Sequence, residues 1–260
     1  MTTAGIQETP PDGVRVCGRP RRAFHVVATR QFAPGETIER APVIDFPARD
    51  WTHVEQTALG GYAFPWANGG GGVALGYGAL YGRSATPIAR SVAHIDDRIL
   101  EIVADRAIES GEEILIEGEA HPATPLPAGI VIEPPIDVWW ALSPGRGRGV
   151  FASRDLVAGE TIERSPCIPF RKADWSPIEK TPFDDYCFAW GSDRKDGTLP
   201  LGYGSVYNHS FEPNATYVRR VDEHVMDFVA IRDISKGHEI RTNYNRDPLD
   251  TSPVWFEVVP

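Results

Sequence analysis

The chain is poor in the residues that build metal clusters and covalent cross-links. Its 260 residues include three cysteines, Cys17, Cys167 and Cys187. None share a CxxC spacing, which excludes a zinc cluster, gives no disulfide framework and fits a reducing compartment. Lysine is scarce as well: only four of the 26 basic residues are lysine, all in the second half. Positive charge is in deficit, with 26 Lys and Arg against 36 Asp and Glu and a formal net charge of -10. A nucleic-acid binder would present a basic face, so that class is excluded, whereas a basic peptide is a compatible partner. No apolar run is long enough to span a membrane, and the start MTTAGIQETPPDG has neither a basic segment nor an apolar one. A cytoplasmic protein without a membrane partner is therefore expected. Two matches to the glycosylation sequon, at Asn208 and Asn214, carry no meaning without a secretory signal.

What is present in quantity is repetition. Residues 35–51 read GETIERAPVIDFPARDW and residues 159–175 read GETIERSPCIPFRKADW. Eleven of these 17 positions are identical at a spacing of 124, where chance gives about one, so a duplication is expected. The spacing then becomes 126: LGYGALYGRSATPIA (75–89) faces LGYGSVYNHSFEPNA (201–215), and ADRAIESGEEI (104–114) faces AIRDISKGHEI (230–240). Leu75, Gly76, Tyr77, Pro87 and Gly111 recur as Leu201, Gly202, Tyr203, Pro213 and Gly237. The polar residues do not recur. Asn208, His209 and Asn214 stand opposite Gly82, Arg83 and Ile88, and Asn243-Tyr244 stands opposite Glu117-Gly118. One copy keeps the frame without the polar set.

With 25 glycines and 23 prolines there is little room for long helices. Short β-prone runs at 150–153, 161–164, 225–230 and 240–243 are bounded by turn residues. In the third, Met226, Phe228 and Ala230 are expected to alternate with more exposed positions, as in a half-buried strand. Short helices are expected around 174–185 and just before Asn208. The fold class is mainly β with small helices. The expected organisation is a disordered tail (1–13), a first domain (14–120), a proline-rich linker (121–136), a second domain (137–246) and a C-terminal tail (247–260).

Two strings carry candidate chemistry. Gly145-Arg146-Gly147-Arg148-Gly149 opens a strand, so it is not a dinucleotide loop, which follows a strand and opens a helix. It is either a flexible start to the strand or a place where a ligand lies against bare backbone N–H groups. The first copy has Arg22, Ala23 and His25 in the aligned stretch. Tyr207-Asn208-His209-Ser210 with Pro213-Asn214 is either a turn capped by its own side chains or a binding element. A Ser–His hydrolase fails because adjacent residues cannot supply nucleophile–base geometry and no G-x-S-x-G elbow exists. A metal site fails because His209 stands without further ligands or an HExxH.

Residues 147–152 (GRGVFA), Tyr186-Cys187-Phe188, residues 208–214 (NHSFEPN) and residues 237–244 (GHEIRTNY) occur in the order and spacing of the SET-domain protein lysine methyltransferases, and the second half resembles that family. The first half resembles a degenerate SET domain. The resemblance implies small curved sheets of the β-clip type, with a knot-like crossing at the active site of the second copy. It implies S-adenosyl-L-methionine as cofactor on one face and a lysine channel on the other. Carried onto this sequence, the backbone of residues 147–150 (Arg148, Gly149 and Val150 among them) would hold the methionine end. Asn208 and His209 would hold the amino group and adenine. Tyr244 and Tyr186 would line the methyl-transfer channel as catalytic residues. No metal is implied.

Methyl transfer is an in-line displacement that needs a neutral amine and alignment more than acid–base power. A lysine of ordinary pKa costs roughly 4–5 kcal/mol to deprotonate at neutral pH, which an apolar channel reduces. Tyr62 survives opposite Tyr186 in the first copy, so packing also accounts for Tyr186; Tyr203 and Tyr207 persist as Tyr77 and Tyr81 and read as core. Thr242 replaces the Phe or Tyr that is usual in the family where methyl number is limited, and the flanking zinc-binding cysteines are missing. Trp255 and Phe256 are either lids over the site or anchors of the terminus. The expectation is a methyltransferase acting on a protein or peptide amine, with the first copy as an internal pseudo-partner. The alternatives are a small-molecule amine as substrate or a non-catalytic scaffold.

Overall fold

The computed structural model describes residues 7–18, 24–118 and 129–259. Its architecture grows from two ten-residue strands, Thr37–Phe46 and Thr161–Phe170, with the same burial pattern along their length. Each carries a proline at its sixth residue, Pro42 or Pro166 (the second strand has Pro169 as well), deep within a central strand, where the missing N–H would normally break the ladder. Both strands change partner at that residue. Thr37 to Pro42 pairs with Ile99–Ala104, and Val43 to Phe46 pairs with Gly71–Ala74 on the other side. In the second half, Thr161 to Pro166 pairs with Val225–Ala230, and Cys167 to Phe170 with Asp196–Pro200. The proline sits where no ladder N–H is required.

Around these strands stand two five-stranded sheets of equivalent order. One runs Phe64–Pro65, Gly71–Ala74, Thr37–Phe46, Ile99–Ala104, Ala89–His94; the other runs Phe188–Trp190, Asp196–Pro200, Thr161–Phe170, Val225–Ala230, Ala215–Arg220. Helices are single turns, such as Lys172–Asp174, Trp175–Ile178 and Pro182–Tyr186, around the 174–185 region where the sequence places them. The architecture is mainly β, as expected. Two expectations are corrected. The segment before Asn208 is a series of turns, not a helix. Val225–Ala230 does not alternate: it is flanked by strands on both edges, and Asp227 is buried with two arginines, Arg164 and Arg220, on its carboxylate.

The halves are joined by exchange. Gln7–Glu8 pairs with Ala141 and Trp140 of the second half, while Val131–Ile132 pairs with Cys17 and Val16 of the first. The offset between these two pairings is 124 at every position. Residues 7–13 are thus not a disordered tail, and part of the expected linker is a strand: the outer edges of Val14–Gly18 and Val138–Ser143 are each covered by a short strand from the other half. Residues 1–6 and 121–128, expected as tail and linker, and Arg22 and Ala23, lie outside the described residues. At the centre, Gly76 N donates to Gly202 O and Gly202 N to Gly76 O, each at 2.8 Å.

Each glycine is held by a buried carboxylate. Glu163 Oε1 accepts from Tyr203 N at 2.7 Å and from Ser165 Oγ at 2.9 Å, and Oε2 accepts from the Tyr207 hydroxyl at 2.8 Å. Glu39 Oε1 accepts from Tyr77 N at 2.7 Å. All four tyrosines are buried, in keeping with a core role. Gly202 has φ +60, and a Cβ there would overlap Glu163 Oε1; Gly76 has φ +58 and stands against Glu39 in the same way. Gly202→Ala therefore combines left-handed strain with displacement of a buried carboxylate. It should cost about 3 kcal/mol or more, read as a lowered denaturation midpoint.

Burial raises the pKa of Glu163 to about 7, and that of Glu39 likewise, against hydrogen bonds that lower them. The folded state then holds a proton that the unfolded chain releases near 4.5, so this stability is full below about pH 4.5 and lost as pH rises to about 7. For Glu163 the loss is on the order of 3 kcal/mol. Urea denaturation of Glu163→Gln between pH 5 and 8 should show a shallower decline of stability with pH than the parent chain; an unchanged slope would contradict this titration.

Candidate active site

The glycine-rich string forms a tight hairpin because Gly145 and Gly147 take left-handed backbone, φ 74 and 77. The hairpin pairs Val138–Ser143 with Gly147–Ala152, setting Leu142 opposite Arg148 and Ala141 opposite Gly149. At Gly149 a Cβ would overlap Glu239 Oε1 and approach Asn208 Nδ2 to 3.0 Å. The bare backbone lets both side chains settle on the strand. Asn208 Nδ2 donates to Arg148 O at 3.0 Å and to Glu239 Oε1 at 2.7 Å, while Arg146 contacts Glu239 Oε2 at 3.3 Å.

Asn208–His209 then runs parallel to Glu239–Thr242, with Asn208 beside Arg241 and His209 beside Thr242. Asn214 locks this crossing. Its Nδ2 donates to Glu239 O at 2.8 Å and its Oδ1 accepts from Arg241 N at 2.7 Å. The first half keeps the parallel pairing, Gly82–Ser84 with Leu115–Glu117, but has Ile88 at the position of Asn214.

His209 is 4% exposed and its Nδ1 accepts from Tyr244 N at 3.1 Å. Burial holds its pKa below the usual imidazole range, so the ring is neutral with its hydrogen on Nε2. That Nε2 is buried and has no hydrogen-bond partner among the described residues. Tyr244 donates its hydroxyl to Tyr207 O at 2.9 Å, and burial pushes its phenol well above the usual range. Trp255 stacks on Tyr244 at 6.0 Å and donates to Asp185 Oδ1 at 3.1 Å, and Phe256 meets both Tyr244 and His209 at 5.9 Å. Asn243 Nδ2 holds the tail at Asp250 O, 2.7 Å away. The two terminal aromatics thus cover the site and anchor the chain together.

Two cavities meet here. The first, about 880 Å³, is lined by Gly147, Arg148, Tyr186, Asn208, His209 and Tyr244 among others. The second, about 620 Å³, shares Asp185, Ser205, Tyr244 and Trp255 with it. Tyr244 therefore stands at the junction. Tyr186 lines the first cavity and a groove against the first half, but not the second cavity. Burial raises its phenol, opposed by the charge of Arg148. Gly149 lies beneath Asn208, and Val150 is fully buried, paired to Trp140 on one edge and Ile240 on the other, and lines neither cavity. Thr242 is also fully buried and lines neither.

Sequence reasoning expected the first half as an internal pseudo-partner but did not place its contacts at the site. The Arg148 guanidinium does not face a ligand with its charge. It donates to Val43 O (3.0 Å), Asp97 O (3.2 Å) and Arg98 O (2.8 Å), and lies 5.2 Å from the Trp140 ring. The clamp brings Asp96, Asp97 and Arg98 into the wall of the first cavity. Only the spacing of the repeat hinted at such a contact. Glu239 was also missed, although its motif was not.

The geometry accords with the comparisons. The SET domain family model matches residues 147–245, from the glycine hairpin to the residue after Tyr244. The histone-lysine N-methyltransferase, H3 lysine-37 specific, of Schizosaccharomyces pombe is 31% identical over 113 residues, covering 43% of this chain and 71% of that protein. A Plasmodium falciparum crystal structure, provisionally named a histone methyltransferase, is 30% identical over 44% of this chain and 95% of its own, with a TM-score of 0.34. A humanized mutant of the Chaetomium thermophilum Polycomb Repressive Complex 2, bound to an inhibitor, is 21% identical over 41% of this chain and 14% of its own, with a TM-score of 0.36. With its glycine hairpin, Asn-His crossing and junction tyrosine in one contiguous matched stretch, the chain belongs to the SET-domain family.

Proposed function

We propose that the chain is an S-adenosylmethionine-dependent N-methyltransferase acting on a lysine of a protein, with a non-catalytic first half derived from the same domain. The observation that carries this reading is the meeting of two cavities at Tyr244, with the orphaned, buried His209 Nε2 on the wall of the larger one. Family membership and the lysine-37-specific relative support the substrate class.

The residues present fit the cofactor. Nε2–H of His209 offers a donor to a ring nitrogen of adenine. Asn208, with its amide N–H groups on Arg148 O and Glu239, keeps Oδ1 as an acceptor for an ammonium. Gly145 and Gly147 expose bare left-handed backbone on the cavity wall. The cofactor, when bound, supplies an electrophilic methyl on a positively charged sulfur. The chain's own task is positional. Tyr244 remains a neutral phenol at working pH because burial disfavours the phenolate, so it does not serve as a base. Its hydroxyl hydrogen is committed to Tyr207 O, which leaves the oxygen lone pairs as acceptors at the junction. The aromatic rings of Tyr244, Trp255 and Phe256 give the junction an apolar wall, which favours an uncharged amine.

Support for a shared origin of the halves is the recurrence of every major register at a spacing of 124 or 126, together with the exchanged strands and the Gly76–Gly202 pair. The first half acts as a tethered pseudo-partner whose Asp96 to Arg98 hairpin completes the cofactor cavity. Its own crossing carries Gly82 and Arg83 in place of the Asn-His pair.

Calorimetric titration of S-adenosylmethionine should give one site per chain, weakened at least tenfold by Asn208→Ala. Absence of binding by the parent chain would end the methyltransferase reading. Tyr244→Phe should retain cofactor affinity but lower the methyl-transfer rate about tenfold, since it removes one hydrogen bond and the oxygen facing the junction.

A further inference from the structure

Beside Lys172 and Lys195, the charged lining of the second cavity holds two groups with no ion pair between them among the described residues. Glu179, Asp184 and Asp185 form one, and burial together with Asp185 and Glu179 holds the Asp184 carboxyl above its usual range. Arg194, Arg246 and Tyr217 line the same cavity, and Arg219, which stands over the Tyr217 ring, feels the charge of both other arginines. The Arg219 guanidinium lies 5.5 Å from the Tyr217 ring centre, and its Nε is buried without a hydrogen-bond partner. No carboxylate forms an ion pair with any of the three arginines among the described residues.

Partial burial of Arg219 carries a desolvation cost that an ion partner normally offsets, and the charges of Arg194 and Arg246 add repulsion to it. Arg194 and Arg246 also occupy left-handed backbone, φ 59 and 78, a conformation that non-glycine residues seldom adopt. The first half supplies a contrast. At the position matching Arg194 it has Asn68, also left-handed at φ 56, and opposite Arg219 it has Ala93. The arginines therefore belong to the half that also carries Asn208, His209 and Tyr244.

We propose that Arg194, Arg219 and Arg246 form a subsite for one anionic side chain of the substrate peptide, a carboxylate or a phosphate, lying near the target lysine. This rests on the reading of the chain as a peptide-lysine methyltransferase. The planar guanidinium fork matches both oxyanions, and a single anion relieves the mutual repulsion of the three. A nucleic-acid backbone does not suit the cavity, because Glu179, Asp184 and Asp185 line it too and the chain as a whole carries -10. The acidic group in turn receives the cationic part of the same peptide. The substrate is thus a segment of mixed charge rather than a uniformly basic one.

The test uses the full chain and a set of fluorescent peptides with a central lysine, in which each flanking position in turn carries Glu, phosphoserine, Ala or Arg. Fluorescence anisotropy should show, at one position, binding at least tenfold tighter for Glu or phosphoserine than for Ala, with the difference shrinking at high salt. Comparison of Glu with phosphoserine identifies which oxyanion is read. Arg246→Glu should invert the order at that position in favour of Arg. Equal affinity for Glu, phosphoserine and Ala at every position would overturn the subsite, whether or not the peptides are methylated. Selective binding without methyl transfer from S-adenosylmethionine would keep the subsite and count against the enzymatic reading.

Discussion

A buried carboxylate gripping a tight turn is the constraint from which the remaining structure follows. Glu163 ties Tyr203 N, Ser165 and Tyr207 together within one strand-to-turn junction. That junction fixes Gly202 in left-handed backbone against Gly76 and sets the path of the chain into Asn208. An uncompensated carboxylate in an apolar interior is costly, so its three donors are also what keep it there. Glu39 performs the same service for Gly76 with fewer donors. The central contact between the halves and the approach to the site therefore depend on the same buried acid.

The site is assembled as a chain of dependencies. Gly149 must lack a side chain for Asn208 and Glu239 to meet above it. Asn214 brackets the strand that follows Glu239, and His209 receives Tyr244 N. Tyr244 is in turn pinned at its hydroxyl by Tyr207 O, next to the residue where the crossing begins. The polar groups named in these contacts are satisfied by one another or by neighbouring backbone, whereas Nε2 of His209 has no partner among the described residues. Buried donors left without a partner on residues that line one cavity, Nε2 of His209 and Nε1 of Trp140, are the local signature of a ligand site.

Much of this was legible in the sequence because the relevant physics is local. Glycine at 145, 147 and 202 marks backbone that other residues enter at a cost, and the repeat made the copy-specific polar residues visible by contrast. The 225–230 alternation failed because Asp227 reads as a surface residue until Arg164 and Arg220 are seen on either side of it. Val150 was placed with the binding residues by position in a motif, whereas pairing on both edges commits it to the sheet. The Arg148 clamp onto Val43, Asp97 and Arg98 spans 50 to 105 residues of chain, and no local pattern encodes a contact at that separation. The paired strands Gln7–Glu8 and Val131–Ile132 were hidden for the same reason: each is too short to read as a strand and acquires its conformation from the other half.

That exchange of strands has a consequence for how the molecule behaves when dilute. Two separate copies bound through swapped arms would part as their concentration fell, and any site completed across the contact would be lost with them. Here the arms belong to one polypeptide, so the local concentration of each half around the other is set by the length of chain between them and not by the amount of protein present. A cavity walled by both halves is therefore equally complete in a cell that makes few copies of the chain and in one that makes many.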